Sequence, residues 1–485
     1  MRAKKRADSV EKIGGTSMAR TEAILENVLL GGRTGDEVYG RIFVVSAYAG
    51  ITDMLLMHKR NDEPGVYALF AGAETEWVWG DALSGVEAEM CRRNAAIFAD
   101  EATRQAADHF VRERVEGVRS CLIDLQRLCS YGHFQLREHL TTVQEMLTAL
   151  GEAHSAHNTS LLLRSHGVDA AFVDLTGWRD ERQLTLDERI ETAFRTADVE
   201  RQLPIVSGYA NCKEGLVSTF GRGYTEVTFS RVAVLTGARE AIIHKEFHLS
   251  SADPRIVGID AVRTIGRTNY DVADQLSNLG MEAIHPHAAK GLRQAEIPLR
   301  VRNSFEPNDP GTTISGEYRT EHPRTEIVTG LKGVLAFAFF EPDMVGVKGY
   351  DAAILAALQR HCVRIVSKTS NANSITHYLC GSMQAVKRVE ADLAEKFDAA
   401  SITTRKVAIV SAIGSDLNAH GLTATAVAAL DRAEIGLLGL HQSMRNVDIQ
   451  FVIDESDFER AVRALHAALI EADGATTDLR PSAAA

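Results

Sequence analysis

A short apolar strand, a lysine, two adjacent glycines and two hydroxyl residues follow one another at Val10-Glu11-Lys12-Ile13-Gly14-Gly15-Thr16-Ser17-Met18. Few local patterns constrain a chain more. The glycines permit a sharp turn that brings backbone N–H groups close to an anion, and Thr16 and Ser17 add hydroxyl donors. A helix beginning near Ala19 would aim its positive end at the same point. Such a turn is a phosphate cradle with the Lys12 cation beside it. Because the lysine precedes the glycines, the spacing is not that of a Walker A loop. An ordinary strand-to-helix turn has the same local pattern, so this loop alone leaves both readings open.

From residue 10 to about 315 the chain alternates β-branched strands with helical periodicity. Ile42-Phe43-Val44-Val45, Leu203-Pro204-Ile205-Val206, Ala241-Ile242-Ile243 and Leu299-Arg300-Val301 are the strand signals. That alternation predicts an α/β sheet with helices on both faces. Residues 84–166 read as a helical lobe, with Val118, Leu122, Leu125 and Leu128 at helical spacing. Of this lobe only Glu152 and Ser155 are expected in a site, and His133 is read as a packing residue. A turn-rich stretch from Phe305 to Arg324 marks a change of texture. Beyond it, Val347-Lys348-Gly349 with Ile354–Leu358 and Val363–Val366 is echoed by Ala419-His420-Gly421 with Val427–Leu430 and Ile435–Leu438. Each copy reads as a βαββαβ unit.

In order along the chain, further blocks join the first loop. They are Phe43-Val44-Val45-Ser46-Ala47 with Ala49-Gly50-Ile51-Thr52-Asp53, then Leu150-Gly151-Glu152-Ala153-His154-Ser155, Gly221-Arg222-Gly223-Tyr224-Thr225-Glu226 and Ser251-Ala252-Asp253-Pro254-Arg255. Gly280–Pro286 and Pro310–Ile314 close the series. With Lys-x-Gly-Gly-Thr-Ser at the front, the chain resembles an aspartate kinase of the amino-acid kinase family from about Val10 to Glu471. The blocks Tyr131–Leu136, His244–Ser251 and Gly266–Asp271 resemble the specialised aspartokinase that accompanies ectoine biosynthesis.

The resemblance implies a three-layer amino-acid kinase sandwich at 10–320, carrying the 84–166 lobe. Two ACT domains would follow at 328–400 and 405–475, with disordered ends at 1–9 and 476–485. It implies ATP and Mg²⁺ as cofactors and L-aspartate as acceptor, with 4-phospho-aspartate and ADP as products. Lys12 and Glu226 would be catalytic. Thr16, Ser46, Glu152 and Arg222 would hold the substrate, Glu152 at its ammonium and Arg222 at its α-carboxylate in a bidentate fork. Gly14, Gly15, Ser17, Lys245 and Arg255 would serve the nucleotide, and no protein metal ligand is expected. A carboxylate acceptor is already ionised at neutral pH, so no general base is required. An amino-acid effector would meet the ACT pair at Asp343–Gly349 and Ser370–Ile375, and the same pair would form a homodimer. No homoserine dehydrogenase part is expected.

Departures from the family pattern bear on these expectations. Tyr224 stands where a glycine is usual, and Glu226 is one methylene longer than the usual Asp. His244-Lys245 replaces a Thr-Asp pair, Ser250 replaces a Tyr and Glu282 replaces a Lys. Lys245 is a candidate for the missing phosphate cation. A non-catalytic amino-acid sensor, or a kinase for another acidic substrate, stay open as alternatives.

Composition narrows the class. A formal net charge of −12 disfavours a nucleic-acid partner, and no apolar run is long enough for a membrane span. The basic start, Arg2 to Arg6, lacks the apolar core of a secretory signal, which points to the cytoplasm. Six cysteines occur without a Cys-x-x-Cys pair and are expected to be reduced core thiols.

Overall fold

The computed structural model describes residues 6–58, 63–72, 74–195, 197–281, 284–472 and 479–481, apart from the side chains of Arg222 and of 479–481. The expected disordered ends therefore lie largely outside the described residues. The chain forms two compact units. One comprises Met1–His248 with Ile284–Gly316, and the other Leu249–Ala283 with Glu317–Ala485. The division expected near 320 thus differs in that 249–283 joins the second unit.

The first unit is built on β1 (Ser9–Ile13), β2 (Arg41–Val45), β3 (Ala170–Val173), β4 (Leu203–Ser207), β5 (Glu240–Lys245), β6 (Leu299–Asn303) and β7 (Thr312–Ser315). Their spatial order is β3-β4-β2-β1-β5-β6-β7. Every pairing is parallel except β6 with β7. β2 and β4 are buried along their whole length. Their uninterrupted apolar runs suit a parallel sheet covered on both faces.

The turn after β1 leads directly into a short helix, α1 (Gly15–Met18), four residues earlier than expected. The lobe consists of α2 (Glu76–Ile97), α3 (Glu101–Ser130) and α4 (Leu140–Ser165), and so begins at 76 rather than 84. Trp79, Leu83, Val86 and Met90 are all buried on one face of α2, which carries the helix back to its N-cap Thr75. Val118 and Leu122 are buried as expected, whereas Leu128, in the last turn of α3, is 50% exposed. His133 lies exposed in a bend beyond α3 and is not a packing residue. α5 (Tyr224–Thr236) then crosses the sheet near β1 and β2.

The second unit contains α6 (Tyr270–Asn278) and a six-stranded antiparallel sheet. Its strands are β8 (Ile327–Phe340), β9 (Arg364–Ser370), β10 (Ser374–Cys380), β11 (Ser401–Ile413), β12 (Leu437–Gln442) and β13 (Asp448–Ile453), in the order β9-β10-β8-β11-β13-β12. Two βαββαβ units are present, but they are nested rather than in tandem. The second half of β8 (334–340) pairs with the first half of β11 (401–407). Together with α7 (Tyr350–Arg360), β9, β10 and α8 (Met383–Lys396) they complete one copy. The first half of β8 (327–331) pairs with the second half of β11 (409–413), and so supplies the last strand of a copy that otherwise comprises α9 (Leu422–Arg432), β12, β13 and α10 (Phe458–His466). A register shift between Leu331 and Val334 marks the junction.

Each copy buries its own helix face. Leu335, Phe337, Phe339, Ile354, Val386 and Leu393 form one core, and Val410, Ala412, Phe451, Leu430, Val462 and Leu465 the other. The opposite sheet face packs Ile327, Val334, Val407 and Ile409 on Val272 and Leu276 of α6. All six cysteines are free, but Cys121 and Cys362 are exposed rather than in the core.

Candidate active site

Strand parity sets the site. Lys12 aligns with Val44 of β2 and Ile243 of β5, so Lys12 and Lys245 project from one face of the sheet, while Glu11 and His244 project from the other. On the first face Lys12 Nζ lies 3.4 Å from Glu226 Oε1, both largely buried. The second Glu226 oxygen accepts the His285 backbone N–H. Burial works against the Glu226 charge, yet Lys12, Lys245 and the His285 amide outweigh it and hold this carboxyl below its ordinary range.

The glycine turn faces the same space. Neither Gly14 nor Gly15 has a positive φ. What requires a glycine at 15 is contact: a Cβ there would run into the Ala47 carbonyl of the loop after β2. The Ala49 N–H donates to the Gly15 carbonyl at 3.1 Å, tying the two loops together. Between them opens a cavity of about 540 Å³ lined by Lys12, Gly15, Thr16, Ser46, Glu152 and Tyr224, together with Thr52, Asp53 and His58. Ser17 takes no part. It is buried, and its hydroxyl donates to Glu246 Oε1 at 2.7 Å.

Glu152 projects from the middle of α4 and is 1% exposed. The Tyr224 hydroxyl donates to its Oε1 at 2.7 Å, and Thr225 Oγ1 lies 3.4 Å from the same oxygen. Oε2 has no hydrogen-bond partner among the described residues. It rests over Gly208, where a Cβ would collide with it. Burial pushes the Glu152 carboxyl up to about 7, against the pull of Tyr224, the Ala47 amide, the Lys12 charge and Thr225. A carboxylate so placed binds a cation readily, since an ammonium would give Oε2 the partner it lacks.

Comparison with known proteins matches residues 9–303 to the amino acid kinase family and residues 410–469 to the ACT domain. The chain belongs to the amino acid kinase family. It is 52% identical to the aspartate kinase Ask_Ect of Stutzerimonas stutzeri over 463 residues, covering 96% of this chain and 97% of that one. It is 23% identical to the aspartokinase of Candida albicans, covering 97% and 91%. Among solved structures, it superimposes on E. coli aspartokinase III in complex with lysine and aspartate with a TM-score of 0.71 at 19% identity, covering 95% of this chain and 99% of that one. The same enzyme with aspartate and ADP gives 0.69 at 20% identity, with coverages of 95% and 99%.

Within this amino acid kinase, the expected residues Lys12, Gly15, Thr16, Ser46 and Glu152 meet at the cavity, and Gly14 caps α1 beside it. Glu226 stands behind Lys12, and Lys245 lies close enough to lower the Glu226 carboxyl. Ser155 is drawn away, its hydroxyl bonded to the Glu152 carbonyl at 3.1 Å. Arg222 lies in a 3₁₀ turn, Gly221–Gly223, with its side chain outside the described residues, as is Glu282. Arg255 belongs to the second unit, is 88% exposed and pairs with Asp253 at 2.7 Å. His244 is buried on the opposite sheet face, with Nε2 2.7 Å from Glu11 Oε2. Tyr48, His58 and Gly208 were not singled out as site residues. Tyr48 falls between the runs Phe43–Ala47 and Ala49–Asp53, and nothing local to His58 or Gly208 marks either one.

Proposed function

We propose that the chain is an aspartate kinase, transferring the γ-phosphoryl group of ATP to the β-carboxylate of L-aspartate to give 4-phospho-L-aspartate and ADP. The observation that carries this reading is one cavity uniting Lys12 and the glycine turn with the buried acid Glu152, in a chain 52% identical to an aspartate kinase. A carboxylate oxygen attacks phosphorus as the bond to the ADP oxygen breaks, and no proton has to move.

The residues present fit a nucleotide phosphate, since a cation, two hydroxyls and a closely apposed glycine turn line the same space. ATP supplies the phosphoryl group, and Mg²⁺ neutralises phosphate charge. The ion is assigned to phosphate oxygens and water. Lys12 takes up charge on the equatorial oxygens, and Glu226 keeps its amine aimed. Thr16 and Ser46 donate to phosphate or substrate oxygens. Glu152 takes the substrate ammonium, and Arg222 is assigned to the α-carboxylate. Lys245 is assigned to the nucleotide side, with Arg255 kept there on the resemblance alone.

An amino-acid effector is placed at the first βαββαβ copy. The strand end that leads into Asp343–Gly349 pairs with Ser370–Ile375, Phe340 aligning with Ser374 and the Glu341 N–H donating to the Asn373 carbonyl at 3.0 Å. A homodimer is placed at the β12 edge, where Leu437, Leu438 and Leu440 are exposed. Entry of the product into ectoine synthesis rests on the blocks at 131–136, 244–251 and 266–271. No helix among the described residues is long and apolar enough to cross a membrane, and the cytoplasm is the proposed compartment.

Trapping the acyl phosphate with hydroxylamine tests the reading. Aspartate should yield a hydroxamate in an ATP-dependent reaction. Product only from another acidic amino acid would reassign the substrate, and none from any would leave an amino-acid sensor.

A further inference from the structure

Tyr224 occupies the first turn of α5, is 4% exposed and spends its only hydroxyl proton on Glu152 Oε1. Its ring is held edge-on to Tyr209, with centroids 6.1 Å apart, so the hydroxyl has little freedom to turn elsewhere. A smaller residue at this position would take from Glu152 Oε1 its short hydrogen bond, the Thr225 contact to the same oxygen being 3.4 Å long.

We propose that Tyr224 is a positioning residue for the acceptor: its hydroxyl engages Glu152 Oε1 and stabilises the anion, leaving Oε2 for the ammonium of the acidic amino acid. This deepens the aspartate kinase reading and rests on it. A buried carboxylate with both oxygens open would swing between partners and take up a proton readily. With one oxygen engaged by a strong donor, the other keeps a set direction and a full share of charge. Burial and the neighbouring Glu152 raise the phenol far above its ordinary value, so Tyr224 stays a donor throughout the working pH range. Among the described residues, the other groups that face this carboxylate are Lys12 from β1, the Ala47 amide after β2 and Thr225 from α5. Asp53 and His58 line the same cavity.

Tyr224→Phe in the full chain keeps the ring and removes only the donor. Aspartate KM should rise about tenfold, the scale of a hydrogen bond to a charged group. ATP KM should hold, and the acid limb of kcat/KM for aspartate should move about one pH unit upward. Unchanged aspartate KM with an unmoved acid limb would overturn the proposal, as would equal losses for aspartate and ATP. Should the variant melt below the assay temperature, calorimetric titration of aspartate and of ATP into the folded variant at a lower temperature decides. A roughly tenfold loss of aspartate affinity with ATP affinity kept supports the role, and an unchanged aspartate affinity overturns it. The wild-type hydroxamate result is read separately, so failure of the kinase reading and failure of the Tyr224 role are distinct outcomes.

Discussion

Lys12 and Glu11 are neighbours in sequence with opposite duties. Lys12 looks into the cavity, and its loss removes a preorganised charge from the transferring phosphate. Lys12→Ala should lower kcat on the order of 10²-fold or more, as steady-state kinetics would read. Glu11 looks the other way, into a buried cluster with His244, Arg41 and Ser9. Burial opposes its charge, but His244, Arg41 and Ser9 together bring its carboxyl from 4.5 down to about 2. A carboxyl depressed in the folded state contributes stability that is present above the unfolded value and lost as pH falls through the folded one. That contribution, about 3 kcal/mol, should fade between pH 4.5 and 2. Denaturant titrations of wild type and Glu11→Gln check it. The variant should be weaker at pH 7, where Arg41 and His244 lose their anion, and should lose less on acidification.

Elements, rather than single residues, explain the second unit. β8 and β11 run 14 and 13 residues, and each serves both βαββαβ copies with its two halves. Ending the chain after Thr404 would shorten the last strand of the first copy and also expose Ile327–Leu331, whose partners lie at 409–413. Such a chain should aggregate or fail to melt cooperatively, whereas a strictly tandem arrangement would leave its first copy folded. Circular dichroism melts and light scattering separate the two. The strand and helix signals of both copies were visible in their alternating apolar residues. The nesting was not, because it depends on which strands pair across more than 70 residues of chain.

For the molecule as a whole, the two sheet edges of the second unit differ in kind. β9 carries Arg364 and Lys368, charges that discourage edge pairing, while β12 presents Leu437, Leu438 and Leu440. If β12 is where two copies meet, Leu438→Lys should convert a dimer into a monomer by multi-angle light scattering, with turnover per chain largely kept. A dimer that persists would place the interface elsewhere.

Local order along the chain was enough to give the α/β sheet with helices on both faces, the glycine turn beside Lys12, and the ordered blocks that carry the family resemblance. These follow from short-range rules: strand parity, apolar periodicity and the steric needs of glycine. Packing alone decided that Ser17 is consumed by Glu246, that His244 belongs to Glu11, and that Tyr224 fastens Glu152 from 72 residues away. Each of these bonds joins groups on different elements. Which groups meet depends on how strands and helices stack, a property that no stretch of sequence carries by itself.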